Sequence, residues 1–148
     1  MDLKQIGLFL SISLLLVAAA CGGDDGASSD QAAGNARVIR VVPSDLLKFE
    51  PAEIGVRVGE RVSLTIDNRK GSTLHDFTVD AMPVHDVHAE GDHHAGAHVD
   101  QASLHVAVEG GKTGTIAFDV TAPGEYEFYC TVPNHAAAGM RGKIKVTG

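Results

Sequence analysis

The residues best suited to chemistry lie near the C-terminus, where Cys130, His135 and Met140 follow the spacing Cys-x4-His-x4-Met. A thiolate, an imidazole and a thioether on one short segment are soft to intermediate ligands. Such ligands suit copper better than calcium, magnesium or a structural zinc. One further imidazole would complete a set of two imidazoles and one thiolate with a weak axial Met, and sites of this kind transfer single electrons. The spacing therefore predicts one copper ion that cycles between Cu(I) and Cu(II).

His75 is the best candidate for the missing imidazole. It begins a predicted strand in which His75, Phe77 and Val79 share one face, and it follows a loop at residues 68–73. Most of the other histidines lie in a polar insertion, where a segment without regular structure would position a ligand poorly. We therefore expect His75 to complete the metal site.

The elements that must hold these ligands are predicted to be strands. Residues 61–67 and 113–120 alternate apolar and polar side chains with a period of two, and Gly110-Gly111 and Pro123-Gly124 mark turns. Seven to eight short strands separated by turns predict an all-β domain over residues 37–148 with the architecture of a β-sandwich. Cys130 shares an alternating face with Tyr126 and Phe128, so its thiol is expected to point into the interior.

Residues 81–103 are predicted to form a long His-rich loop between two strands. It holds five of the eight histidines of the chain, which are His85, His88, His93, His94 and His98. These imidazoles form a possible auxiliary site for Cu(II), Zn(II) or Ni(II). Two other interpretations of this loop stay open. It could bind no ligand, or its histidines could change the charge of the loop as the pH passes through about 6 to 7.

The N-terminus predicts export. An apolar run at residues 6–20 follows Lys4 and ends at Cys21, and it is shorter than the ~20 residues of a membrane span. Residues 1–20 look like a bacterial lipoprotein signal peptide with Cys21 as the lipidated residue. The alternatives for Cys21 are a free thiol or a disulfide with Cys130. Residues 21–36 predict a flexible tether, so the protein is expected on the outer face of the cytoplasmic membrane or in the periplasm.

Residues 37–148 resemble the type 1 blue-copper proteins of the cupredoxin, or plastocyanin-like, superfamily. The resemblance rests on residues 47–68 and on Gly-Glu-Tyr-Glu-Phe-Tyr-Cys at 124–130. The spacing of the following ligands is similar to that of auracyanin and rusticyanin. The resemblance implies a Greek-key β-sandwich with His75, Cys130 and His135 as equatorial copper ligands and Met140 as the axial ligand.

The same resemblance implies a function, and the chain departs from the family at one position near the site. The expected function is one-electron transfer by a monomer between membrane-associated redox partners, such as a cytochrome or a membrane oxidoreductase. Electrons are expected to pass through the edge of His135. Many members have Asn or Ser after the first His ligand, whereas this chain has Asp76, which would either bridge the site or lower the reduction potential.

The charge of the chain and the residues beside Cys130 disfavour two other classes of function. The excess of 19 acidic over 12 basic residues gives a net charge of −7, which disfavours nucleic acid as a partner. Multicopper enzymes of this superfamily place a His beside the ligand Cys, whereas Tyr129 and Thr131 flank Cys130, so an enzyme is not expected. The alternative is an extracytoplasmic copper carrier or buffer that uses the His-rich loop.

Overall fold

The computed structural model describes residues 36–91 and 101–148, which form ten strands in two sheets. Residues 1–35 and 92–100 lie outside this description, and with them the predicted signal peptide, Cys21, most of the tether, His93, His94 and His98. Within the two described ranges, no helix is long and apolar enough to cross a membrane. The strands are β1 (Arg37–Ser44), β2 (Lys48–Glu50), β3 (Glu53–Arg57), β4 (Arg61–Asp67), β5 (His75–Val79), β6 (Val84–Glu90), β7 (Leu104–Val108), β8 (Thr113–Val120), β9 (Gly124–Tyr129) and β10 (Arg141–Thr147).

The two five-stranded sheets form the sandwich that the alternating sequence predicts. The strand order is β2-β1-β4-β8-β6 in one sheet and β3-β10-β9-β5-β7 in the other. Every second side chain of β8 and β10 is buried, so each strand turns its apolar residues toward the core and its polar residues toward solvent. Phe77, Phe118 and Phe128 are the largest fully buried side chains of that core.

The described residues contain ten strands, two more than the upper prediction. One reason is Pro51, which lies between β2 and β3 and has no backbone N–H to continue a ladder. As a result β2 pairs with β1 in one sheet, whereas β3 pairs with β10 in the other. What reads as one interrupted apolar segment in the sequence therefore contributes to both sheets.

The other reason is β6, which corrects the prediction of a loop through residues 81–103. Residues 84–90 of that stretch form an edge strand paired with β8. Val84 and Ala89 pack against the core, while His85 and His88 are exposed. A bulge between His85 and His88 adds one residue to the strand. This extra residue breaks the period of two and hides the strand in the sequence.

Asp67 ends β4 beside two arginines. Its side chain is only 4% exposed and lies 2.5 Å from the Arg40 guanidinium and 2.6 Å from that of Arg69. Hydrogen bonds from Arg69 are the largest cause that holds the pKa of this carboxyl well below its ordinary value of 3.8, and Arg40 adds to them. Because the folded pKa is lowered, this carboxylate stabilises the fold above pH 3.8, and the contribution is lost as the pH falls toward the folded pKa.

We therefore expect Asp67→Asn to unfold more easily than the wild type at neutral pH. The difference in the free energy of unfolding should shrink as the pH falls below 3.8, because the carboxyl of the unfolded wild type then binds a proton while that of the folded protein stays ionised down to a lower pH. Urea denaturation of both proteins at a series of pH values measures this difference in the free energy of unfolding. The matched control is Glu53→Gln, which removes an exposed carboxylate paired with Lys145 and should have little effect. A constant difference between wild type and Asp67→Asn at all pH values would contradict the assignment.

Candidate metal centre

The C-terminal ligands lie on one short loop, residues 130–140, which joins β9 to β10. The Cys130 N–H donates to the Met140 carbonyl at 3.2 Å, and the Met140 N–H donates to the His135 carbonyl at 3.0 Å. Asn134 and Gly139 turn the chain with φ angles of 71° and 102°, in the left-handed region. These bonds and turns close the loop on itself, so the three ligand residues stay at the same end of the sandwich.

His75 comes to this loop from β5. The ligand atoms of His75, Cys130 and His135 all lie within 4.8 Å of one another. The Cys130 Sγ is 3.4 Å from His135 Nδ1, and the two imidazole rings are 5.1 Å apart between centroids. In residues 36–91 and 101–148, no other three histidine, cysteine or acidic residues converge this closely. The structure thus brings together residues separated by up to 60 positions.

Burial differs among the four predicted ligands. His75, Cys130 and Met140 have no exposed surface, whereas His135 is partly exposed. Three of the four predicted ligands are therefore closed to solvent, and the His135 imidazole is the one that reaches the surface.

The Cys130 thiol is fully buried. Burial, followed by the nearby Asp76 carboxylate, raises its pKa to about 11, so in the metal-free protein it is protonated at neutral pH. A bound metal ion deprotonates a coordinating thiol outright. The Asp76 backbone N–H donates to Sγ at 3.4 Å, which fixes the sulfur and stabilises its anionic form. Without a metal ion, the Cys130 thiol is therefore mostly protonated and a weak nucleophile.

Asp76 bridges the two segments that carry the ligands. Its buried carboxylate accepts a hydrogen bond from the Thr131 N–H at 2.7 Å and another from the Thr131 hydroxyl. Together with its own N–H bond to Cys130, it ties β5 to the start of the loop. Of the two roles that the sequence left open, the structure shows this bridge, and the effect of the charge on the reduction potential stays a prediction.

His75 has one ring nitrogen without a partner. Its Nδ1 is buried and makes no hydrogen bond, whereas its Nε2 lies 3.1 Å from the Thr73 hydroxyl. Burial, followed by the proximity of His135, lowers the pKa of His75, which favours the neutral, metal-binding imidazole. A buried nitrogen left unpaired is costly unless a ligand takes it. Two imidazoles, a thiol and a thioether at this position fit copper.

Some residues around the site were not found from the sequence. Thr73 and Asp45 contact His75 or its loop, and no local motif links Asp45 on the β1–β2 connection to a histidine 30 positions later. Thr131 was visible only as the neighbour of Cys130. His85 and His88 lie on β6, in the sheet opposite to β5, and are not among the converging ligands.

Comparison with known proteins agrees with this chemistry. The profile of the copper-binding proteins of the plastocyanin/azurin family matches residues 36–147. The chain belongs to this family. The copper-resistant cuproprotein CopI of Rubrivivax gelatinosus is 37% identical over 112 residues, which are 74% of this chain and 66% of that protein. CopI of Pseudomonas aeruginosa is 30% identical over 145 residues, which are 78% of this chain and 79% of that protein.

A solved structure gives the same fold. Reduced auracyanin from the photosynthetic bacterium Roseiflexus castenholzii superposes with a TM-score of 0.60 at 22% identity, covering 78% of this chain and all of that protein. At this identity the likeness concerns the fold alone. The predicted blue-copper, cupredoxin-type fold and the copper cofactor are confirmed. The chain spans about two thirds of the Rubrivivax relative, 66% of its length.

Proposed function

We propose that this protein is an extracytoplasmic one-electron carrier in which His75, Cys130, His135 and Met140 would hold the copper ion. The observation that carries the proposal is that the ligand atoms of His75, Cys130 and His135 all lie within 4.8 Å of one another. Ligands held in place by rigid strands need little rearrangement when the charge of a bound ion changes. Copper held by these residues supplies a centre that gains and loses one electron.

The surrounding residues restrict what the site can do. The residues beside Cys130 are Tyr129 and Thr131, so no histidine leads from the thiol to a second metal centre. With His75, Cys130 and Met140 fully buried, a substrate has no direct access to the ligand atoms from these three sides. Transfer of an electron across the protein surface fits this enclosure better than chemistry on a bound substrate.

The exposed side of His135 offers a contact surface for a redox partner. Pro133, Ala137 and Ala138 are exposed around it and carry no charge. A groove of about 420 Å³ shares Pro133 and Ala137 with this surface, and Arg141 also lines it. Small uncharged contact areas suit brief and weak docking. We propose that a cytochrome or a membrane oxidoreductase docks here, while the predicted lipid at Cys21 keeps the protein near the membrane.

A redox titration of the copper-loaded protein tests the proposal. We expect one electron per chain to be taken up and released reversibly, with intense visible absorption in the oxidised form that disappears on reduction. Exchange with a small soluble cytochrome should be faster than the turnover of any oxidisable substrate. Irreversible reduction with loss of copper would contradict an electron carrier and would favour a protein that only binds or delivers the metal.

A second candidate function, copper handling, is favoured by β6. The bulge places His85 opposite Asp119 and His88 opposite Ala117, so both imidazoles face solvent on the same side. His85 Nδ1 lies 3.2 Å from Asp119, and His88 Nε2 lies 3.1 Å from Asp86. A carboxylate on one ring nitrogen orients the other nitrogen toward a metal, as in many metalloproteins. The two relatives named above are described as copper-resistant.

Replacing both histidines tests this second function. We expect the wild type to bind a second, weaker equivalent of Cu(II), and we expect His85→Gln/His88→Gln to lose it, because two imidazole ligands are removed. The visible absorption of the first site should not change. Isothermal titration measures the second equivalent of Cu(II), and absorption spectra measure the first site. Glu90→Gln on the same strand is the control. A second equivalent that survives in the double variant, or that is missing in the wild type, would rule out this site.

A further inference from the structure

We propose that Asp45 and Thr73 are positioning residues that fix the tautomer of His75 through a hydrogen-bonded relay and thereby direct Nδ1 toward the metal. The inference rests on the proposed function in that it takes copper as the metal at this site. It assigns a role to the connection between β1 and β2, which contains no ligand. The relay joins three residues from two segments of the chain, since Asp45 lies 28 positions before Thr73.

Asp45 is anchored to the loop in front of β5. One oxygen, Oδ1, accepts from the Thr73 hydroxyl at 2.9 Å, and the other, Oδ2, accepts from the Ser72 hydroxyl at 2.8 Å. The Ser72 N–H also donates to this carboxylate, at 3.1 Å. An aspartate is ordinarily ionised at neutral pH, and an ionised carboxylate can only accept hydrogen bonds.

The charge of Asp45 determines the direction of the relay. A threonine hydroxyl has one proton, and the carboxylate can only accept, so Thr73 donates this proton to Asp45. The hydroxyl oxygen then has lone pairs left for His75 Nε2, 3.1 Å away, and this nitrogen must carry the proton. Asp45 Oδ1 lies 3.7 Å from the same nitrogen and favours a proton there electrostatically. A neutral imidazole protonated at Nε2 has its free lone pair on Nδ1.

The other side of the ring agrees with this assignment. His75 Nδ1 is buried and has no hydrogen-bond partner. A proton on this nitrogen would be a buried donor without an acceptor, whereas a lone pair on it is a ligand for copper. In the metal-free protein the relay therefore selects the tautomer that copper requires, before the metal arrives.

The loop that carries Thr73 is held firmly enough for the relay to be specific. The Asn68 side-chain amide donates to the Thr73 carbonyl at 2.8 Å and to the Val108 carbonyl at 3.0 Å. A Cβ at Gly110 would lie 2.6 Å from the Ser72 backbone, so this glycine allows the loop to pack closely. Thr73 is thus fixed from inside by Asn68 and from outside by Asp45.

Thr73→Val tests the relay, because it keeps the shape of the side chain and removes the hydroxyl. In the metal-free variant we expect nitrogen NMR of the imidazole of His75 to show a mixture of tautomers, where the wild type shows protonation at Nε2 alone. Copper affinity, measured by competition with a chelator, should fall by about tenfold to 100-fold, as for other residues that orient a ligand. Asp45→Asn should shift both quantities in the same direction, and Thr73→Ser should restore both.

Thr147→Val is the matched control. It makes the same change at the end of β10 away from the ligand loop, where the hydroxyl donates to the Val56 carbonyl at 3.5 Å, so the tautomer and the affinity should stay within about threefold of the wild type. A single Nε2-protonated tautomer and unchanged affinity in Thr73→Val would overturn the proposal. Because the tautomer is measured without metal, the relay and the copper function can fail separately. A wild type that has the Nε2 tautomer and binds no copper would contradict only the function.

Discussion

Cys130→Ser is expected to abolish the intense visible absorption of the copper-loaded protein and to lower its copper affinity by more than tenfold. The reason is that this absorption arises from a thiolate bound to copper, and a serine hydroxyl neither ionises at neutral pH nor matches the softness of the metal. Cys130 contributes the only thiol near His75 and His135 among the described residues. Absorption spectra and chelator competition, recorded beside the wild type, measure the two losses.

The variant must be shown to fold, since it places a hydroxyl where the thiol is fully buried. The Asp76 N–H that now donates to Sγ can donate to the serine oxygen, so we expect the destabilisation to stay within about 1–3 kcal/mol. Circular dichroism checks this. His85→Gln/His88→Gln serves as the control and should keep the absorption. If Cys130→Ser retained the band, the ligand assignment would be wrong, and if both variants lost it, β6 would contribute to the first site.

Phe128→Ala should give the largest loss of stability, with the free energy of unfolding falling by about 3–5 kcal/mol. Phe128 is fully buried two positions before Cys130. Its ring stacks on Phe77 at 4.6 Å and contacts Phe49 edge-on at 5.3 Å between centroids. Its removal leaves a cavity between the sheets, because the rings of β5 and β2 cannot move in to fill it without distorting their strands. Urea denaturation of the metal-free protein measures the change.

Leu46→Ala is the control for this prediction. Leu46 is 83% exposed, so truncating it should alter stability by less than about 0.5 kcal/mol. We also expect Phe128→Ala to weaken copper binding, since Phe77 and Phe128 lie two residues from His75 and Cys130 on the paired strands β5 and β9. A loss below about 1 kcal/mol would mean that the core relaxes around the gap.

The sequence alone determined the chemistry of the site and the type of fold. Cys130, His135 and Met140 are close in the chain, so their spacing states which ligands share one loop, and ligand softness then points to copper. Alternating residues such as those of β8 have one face buried and one exposed, and this pattern is present in the sequence before folding. Local features of this kind can be read from the chain because neighbouring positions determine them.

The tertiary structure decided which distant groups meet. His75 reaches Cys130 only through the pairing of β5 with β9, and Asp45 reaches Thr73 only because β1 lies beside β4. The bulge that hides β6 depends on its register with β8. Contacts of this kind depend on strand order and register, which arise from packing of the whole sandwich and leave no local pattern in the sequence.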